Sequence, residues 1–191
     1  KLSLFEMKIL LASQSPRRKE LLKGLGYEFE TLSLDVEEVY PEDLSAAEVA
    51  DYLSQLKADS YEPMSEDTIL ITADTVVVSE SEILGKPKTS DEAVAMLLSL
   101  SGKTHQVYTA VTVKTSEKSQ TFTDVAQVEF DFISETEAKY YVQTYNPLDK
   151  AGAYGVQEWL GMAKIKNIKG SFYTIMGLPT HLLYKVLQDF F

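Results

Sequence analysis

The sequence predicts an α/β fold with a mixed, partly antiparallel central sheet and flanking helices. Strand-like and helix-like segments interleave from Lys8 onward, which is the pattern of a layered α/β domain. Two long β-like runs, Lys103–Lys114 and Gln120–Phe132, follow each other in the middle of the chain as a hairpin, so the sheet is not wound purely from parallel βαβ units. No repeat, low-complexity tract or linker divides the chain, which favours two lobes sharing one sheet over two independent domains.

Each element carries its own signal. Lys8–Ala12 is a short apolar run, as in a buried strand. Ser15 before Pro16 places a capping hydroxyl at N-cap and proline at N1 of a helix lined by Leu21, Leu22 and Leu25 and closed by Gly24 and Gly26. Tyr27–Leu34 alternates like a strand. Ser45 with Glu48 forms a capping box opening a helix to about Ser60, with Val49, Leu53 and Leu56 on one apolar face and Lys57 on the polar side. Thr68–Ser79 reads as a strand interrupted by Ala73-Asp74-Thr75. Ser90, Asp91 and Glu92 start a helix that ends near Gly102. After the hairpin, Ser134 and Glu137 cap a helix that stops before Asn146-Pro147. A glycine-rich stretch at Lys150–Gly155, a strand at Ala163–Ile168 and a final helix at Leu178–Phe190 complete the chain.

Bulk composition narrows the function. The 191 residues are 45% hydrophobic and 25% charged, ordinary for a globular protein long enough to bury a core. No cysteine is present, so disulfides and thiolate metal sites are excluded. No apolar run approaches the ~20 residues of a membrane span, and the opening residues do not read as a secretory signal. The expectation is a soluble, cytoplasmic protein. Met7 is a candidate native start, with residues 1–6 a remnant or an extension. A formal net charge of −11 argues against a nucleic-acid polymer or an anionic membrane as partner. An anionic ligand would then need basic residues gathered locally.

Such a gathering occurs at Ser13-Gln14-Ser15-Pro16-Arg17-Arg18. Backbone N–H groups at a helix start are unpaired and attract anions. Two arginines in the first turn oppose the helix dipole by about 0.3–1 kcal/mol each, which suits a resident anion, and guanidinium groups bind phosphate bidentately. The same residues read equally as a plain cap with solvated arginines. The segment lacks both the P-loop pattern and the dinucleotide glycine fingerprint.

A second constellation centres on Asp74, set between Ile69-Leu70-Ile71 and Val76-Val77-Val78. A carboxylate inside a strand core is costly unless paired or bound to metal. It reads either as a Mg²⁺ or Mn²⁺ ligand or general base at a cleft, or as part of a solvated turn after a strand ending at Thr72. Lys86, between Gly85 and Pro87, either projects toward a phosphate or is simply exposed. Asp35, Glu37 and Glu38 form a carboxylate cluster suited to a hard cation, though such clusters are more often solvated loops. Gln157, after the glycine-rich stretch, has the paired donor and acceptor that base-edge recognition needs; the alternative is a bend between a helix and a strand.

Together these segments resemble the Maf family of nucleoside triphosphate pyrophosphatases, once linked to septum formation. The matching pieces are LLASQSPRRKELL (Leu10–Leu22), ITADTVV (Ile71–Val77), LGKP (Leu84–Pro87), LSGKTHQVYTAV (Leu100–Val111), PLDKAGAYGVQ (Pro147–Gln157) and GLP (Gly177–Pro179). They occur in family order and cover nearly the whole chain from Met7, as one domain over 7–191.

The resemblance implies a two-lobed, inosine-triphosphatase-like fold around a cleft. It implies hydrolysis between the α- and β-phosphates, with a divalent metal, and a homodimer. Carried over by position, Ser13, Arg17 and Arg18 grip the triphosphate. Glu38 and Asp74 serve the metal, with Asp74 also accepting the proton of the attacking water. Lys57 and Lys86 neutralise phosphate charge. Ala73-Asp74-Thr75 and Gln157 resemble the branch acting on dTTP and UTP, in which Arg17, Thr75 and Gln157 help set base specificity. A branch acting on 7-methyl-GTP and a non-catalytic nucleotide sensor in cell division are the alternatives. Two departures from the family stand out: Tyr52-Leu53-Ser54 where many relatives have Arg-Leu-Ala, and Glu158-Trp159 where relatives have a glycine and a small residue.

Overall fold

The computed structural model describes residues 6–190. The expectation for the opening residues concerns a stretch of which 1–5 lie outside the described residues. In order, the elements are β1 (Lys8–Ala12), α1 (Pro16–Gly24), β2 (Glu30–Leu32), α2 (Ala46–Asp59), β3 (Thr68–Ser79), β4 (Glu82–Leu84), α3 (Ser90–Leu100), β5 (Thr104–Lys114), β6 (Ser119–Phe130), α4 (Glu135–Tyr145), α5 (Trp159–Lys164), β7 (Ile165–Lys169), α6 (Phe172–Met176) and α7 (Thr180–Asp189). Single 3-10 turns at Pro147–Asp149 and Ala151–Ala153 precede α5. The sheet runs in the order β2-β1-β3-β5-β6-β7, with β4 paired to β3. It is mixed, as expected: β1 pairs in parallel with β2 and β3, whereas β3–β4 and β6–β7 are antiparallel.

The chain divides into two compact units. The first takes the described residues through Asp74, then Thr109–Asp124, then those from Gly177 onward. Its core is the apolar sequence of β1 and the first half of β3, where Leu11, Ile69, Leu70 and Ile71 are fully buried. Strands buried on both faces read as continuous apolar runs, and these do. Helix α2 starts with the expected capping box. It docks through polar as well as apolar contacts: Ser54 Oγ lies 2.7 Å from Thr112 Oγ1, and Thr72 Oγ1 donates to the Ser54 carbonyl at 2.7 Å. The serine that departs from the family pattern is therefore a buried hydrogen-bonding residue. At the end of α2, the buried Lys114 Nζ donates to the Ala58 carbonyl at 3.2 Å, satisfying one of the orphan acceptors of a helix C-terminus.

The second unit comprises Thr75–Tyr108 and Val125–Met176. Strands β3 and β4 join through Glu80 and Ser81, whose φ values of 50° and 66° match the left-handed pair of a tight hairpin turn. Helices α3 and α4 pack together, and α4 opens with its capping box. The fully buried His105 donates to or accepts from Tyr154 Oη at 2.6 Å through Nε2 and packs on Phe130, with ring centroids 5.0 Å apart.

Several local expectations need correction. Strand β3 is not interrupted at Ala73-Asp74-Thr75 but runs unbroken through Ser79, because the flanking β-branched residues continue the ladder. Strand β2 is three residues rather than the whole of Tyr27–Leu34. Lys57 is not on the polar side of α2: it follows Val49, Ala50, Leu53 and Ser54 at helical spacing on the inward face. Strand β4 and helices α5 and α6 went unforeseen, each being too short for periodicity to register.

Candidate active site

Asp74 is the centre of the site in the first unit. It is 7% exposed, in mid-strand, so the solvated-turn alternative does not hold. Its carboxylate receives a hydrogen bond from Lys57 Nζ at 3.0 Å. The same ammonium donates to the Ala73 carbonyl at 3.2 Å and lies 3.1 Å from Glu38 Oε1. Two hydrogen bonds and a further ion pair thus converge on one ammonium group. Helix α2 supplies that lysine because its inward stripe passes over the middle of β3.

Charge and burial compete here. Burial pushes the Asp74 carboxyl above its ordinary value, while Lys57 and Arg18 pull it down and Glu38 adds to the rise. Burial likewise lowers the Arg18 guanidinium, against the pull of Asp74 and Glu38. Arg18 therefore belongs to the same electrostatic neighbourhood as Asp74, Lys57 and Glu38.

The α1 start is built as its sequence indicates. Ser15 Oγ accepts from the Arg18 N–H at 3.3 Å, and Ser13 Oγ accepts from the Ser15 N–H at 3.1 Å. No acidic residue occupies the first turn. Arg18 Nε donates to the Gly177 carbonyl at 2.8 Å, which fixes one edge of the guanidinium. Sequence reasoning did not foresee the roles of the Gly177 and Ala73 carbonyls. Of the carboxylate cluster, all three members are exposed, and Glu38 alone reaches Lys57 among the described contacts.

The remaining site candidates lie in the second unit. Thr75 follows Asp74 in β3 and is half-buried; Lys86 is exposed. The loop of Lys86 is held where the Gly85 carbonyl accepts from the Gly152 N–H at 3.2 Å. Gly152 has φ 73°, and a Cβ there would meet Val77 methyl groups at 3.1 Å, so this position demands glycine. Gln157 is exposed in the turn between Gly155 and Glu158. It lines, with Val156, Ile165, Ile168 and Phe172, a cavity of about 270 Å³.

The buried Asp74 carboxylate, the exposed Glu38 carboxylate and the Ala73 carbonyl thus converge on one ammonium group. Among the described residues, no group of three or more His, Asp or Glu side chains gathers to hold a metal, here or elsewhere. Among them too, no helix is long and apolar enough to cross a membrane.

The mixed sheet with flanking helices places the chain with α/β proteins of the HAM1 fold. A HAM1 protein structure from Coxiella burnetii superposes with a TM-score of 0.51, covering 96% of this chain and 99% of that one at 14% identity. The chain belongs to the Maf-like protein family, whose profile matches residues 8–190. A protein from Bacteroides thetaiotaomicron named dTTP/UTP pyrophosphatase is 53% identical over 188 residues, 97% of each chain. Its namesake from Porphyromonas gingivalis is 48% identical over 98% of this chain and 96% of its own. That from Flavobacterium psychrophilum is 45% identical over 95% and 94%.

Proposed function

We propose that this protein hydrolyses pyrimidine nucleoside triphosphates, dTTP and UTP foremost, to the monophosphate and pyrophosphate. The observation that carries the reading is Asp74, buried in β3 and held with Glu38 around the Lys57 ammonium beside Arg18. The names of relatives nearly half identical or more over almost the full chain supply the substrate.

The chemistry follows from the residues. A water oxygen attacks the α-phosphorus, the bond to the bridging oxygen breaks, and pyrophosphate departs. Asp74 takes the proton of that water; a carboxyl raised by burial is a better base than an exposed one. Arg18, with Arg17 and Ser13 beside it, binds phosphate oxygens at the α1 start, where backbone donors also point. Lys57 and Lys86 offset charge that grows on those oxygens, the principal task in phosphoryl transfer.

Glu38 and Asp74 would hold a Mg²⁺ or Mn²⁺ ion. The fit is good, because Mg²⁺ is typically held by one or two carboxylates and completes its shell with phosphate oxygens and water. Such an ion supplies Lewis acidity to the phosphoryl group. Thr75 and Gln157, with Arg17, read the base, where a glutamine amide matches a pyrimidine edge carrying both donor and acceptor. The same reading takes 7–191 as one two-lobed domain, acting as a homodimer in the cytoplasm.

Incubation with dTTP, UTP, dATP, GTP and 7-methyl-GTP, with Mg²⁺ or Mn²⁺, tests it. Release of pyrophosphate fastest from dTTP and UTP is expected. Binding without hydrolysis of any of them refutes the enzyme reading, and a large preference for 7-methyl-GTP refutes the substrate. Asp74→Asn should lower kcat by at least ~10²-fold, and wild-type turnover by that variant would remove Asp74 as the base.

A further inference from the structure

Glu158 occupies an odd position for its residue type. It is the N-cap of α5, where Ser, Thr, Asp or Asn is preferred, yet its side chain makes no capping hydrogen bond. The carboxylate turns back instead. Tyr141 Oη donates to Glu158 Oε1 at 2.6 Å, and Lys150 Nζ stands 3.8 Å from the same oxygen. The Tyr141 hydroxyl also accepts from the Gly155 N–H at 2.9 Å. Tyr141 is fully buried in α4, and the Lys150 side chain is 10% exposed. Burial and then the Glu158 hydrogen bond push the Tyr141 phenol well above its ordinary value, so it remains a donor.

The turn that these contacts hold is short. The Glu158 N–H donates to the Gly155 carbonyl at 3.0 Å. A Cβ on Gly155 would stand 2.6 Å from Glu158 Oε1, so the carboxylate in its present place occupies the space that a side chain there would take. On the far side, a Cβ on Gly161 would meet the Val156 carbonyl oxygen at 2.0 Å. Gln157 is thus an exposed residue whose neighbours on both sides are fixed.

We propose that Glu158 is a positioning residue: by accepting from Tyr141 and facing Lys150, it anchors the Gly155–Glu158 turn to α4 and so aims the Gln157 amide. This rests on the reading of Gln157 as a base contact. Glu158 lines the same cavity as Gln157, with its Oε1 turned to Tyr141, and it acts through the turn. An anchored amide is pre-organised, so binding loses less freedom at that side chain, and discrimination between bases sharpens.

The test uses Glu158→Ala, Glu158→Gln and Tyr141→Phe. For each, KM and kcat are measured with dTTP and dATP, and amide exchange is followed at Gly155–Glu158. Glu158→Ala and Tyr141→Phe are expected to raise KM for dTTP about tenfold, with kcat within about threefold of wild type. The preference for dTTP over dATP should fall with it, and Gly155 exchange should quicken at least tenfold. Glu158→Gln keeps an oxygen that accepts from Tyr141 and should restore both readouts to within about threefold. Unchanged KM and exchange in Glu158→Ala overturns the proposal, as does a loss confined to kcat or a Gln variant as impaired as the Ala one. A wild-type protein inactive on every nucleotide would sink the hydrolase reading instead. The exchange rates would then decide alone whether Glu158 anchors the turn.

Discussion

Replacing Lys57 by methionine removes the cation while preserving most of the side-chain volume. Asp74, 7% exposed, then loses its hydrogen bond at 3.0 Å, and Glu38 its neighbour at 3.1 Å. Breaking a buried ion pair from one side costs about 3–5 kcal/mol, because the other charge stays desolvated. The Lys57 side chain is 17% exposed and that of Glu38 46%, so the lower end applies, about 3 kcal/mol. The loss must depend on pH. The folded Asp74 carboxyl is already raised above 3.8 by burial, so the folded state binds its proton more tightly than the unfolded chain. Stability from this group is full below the unfolded value and falls as pH rises through the folded one. Without Lys57 the folded value moves higher still, and the fall extends toward neutrality. Urea unfolding at pH 5 and pH 8 should therefore show Lys57→Met costing more at pH 8. Asp74→Asn removes the charge that burial penalises and leaves Lys57 paired with Glu38 and the Ala73 carbonyl, so it should cost less than Lys57→Met, about 1 kcal/mol. Adding Lys57→Met to it should then cost far less than adding Lys57→Met to wild type, a coupling of about 2 kcal/mol. A cost below ~0.5 kcal/mol at pH 8, or additive effects in the double variant, would refute the reasoning.

Acid should unfold the protein partly through His105, whose burial lowers its value from 6.5 to about 4. The folded state binds this proton less tightly, so its contribution is present above pH 6.5 and is lost as pH falls through about 4. The loss totals on the order of 3 kcal/mol. His105→Phe should flatten that limb in urea titrations while lowering the neutral plateau by ~1–3 kcal/mol, since the Tyr154 hydroxyl loses its partner. Gly161→Ala should lower the melting temperature sharply, the new Cβ meeting backbone at 2.0 Å, with a cost of about 3 kcal/mol or more. Lys86→Met should leave the melting temperature within about 2 °C, the side chain being exposed, while kcat/KM for dTTP drops at least tenfold. An unchanged kcat/KM would remove Lys86 from phosphate contact.

Much of the architecture was legible because its signals are local. The Ser45–Glu48 and Ser134–Glu137 boxes, Ser15-Pro16, and the long β-like runs of β5 and β6 are each local signals, and each stands where expected. Failures came where an element was too short to show a period, as in α5 and α6, or where neighbours outweighed composition. The polar triplet Ala73-Asp74-Thr75 suggested a break, yet the strand continues, since Asp74 finds its partner seventeen residues back, at Lys57.

The sequence by itself determined the family motifs, the order of the longer strands and helices, and a basic helix start set in an acidic chain. Those follow from residue type and spacing. Only the tertiary structure decided that Lys57 faces inward, that it binds Asp74, Glu38 and the Ala73 carbonyl together, and that Glu158 turns from its own helix toward Tyr141. These are pairings between segments distant along the chain. Their strength comes from burial, which no local pattern encodes.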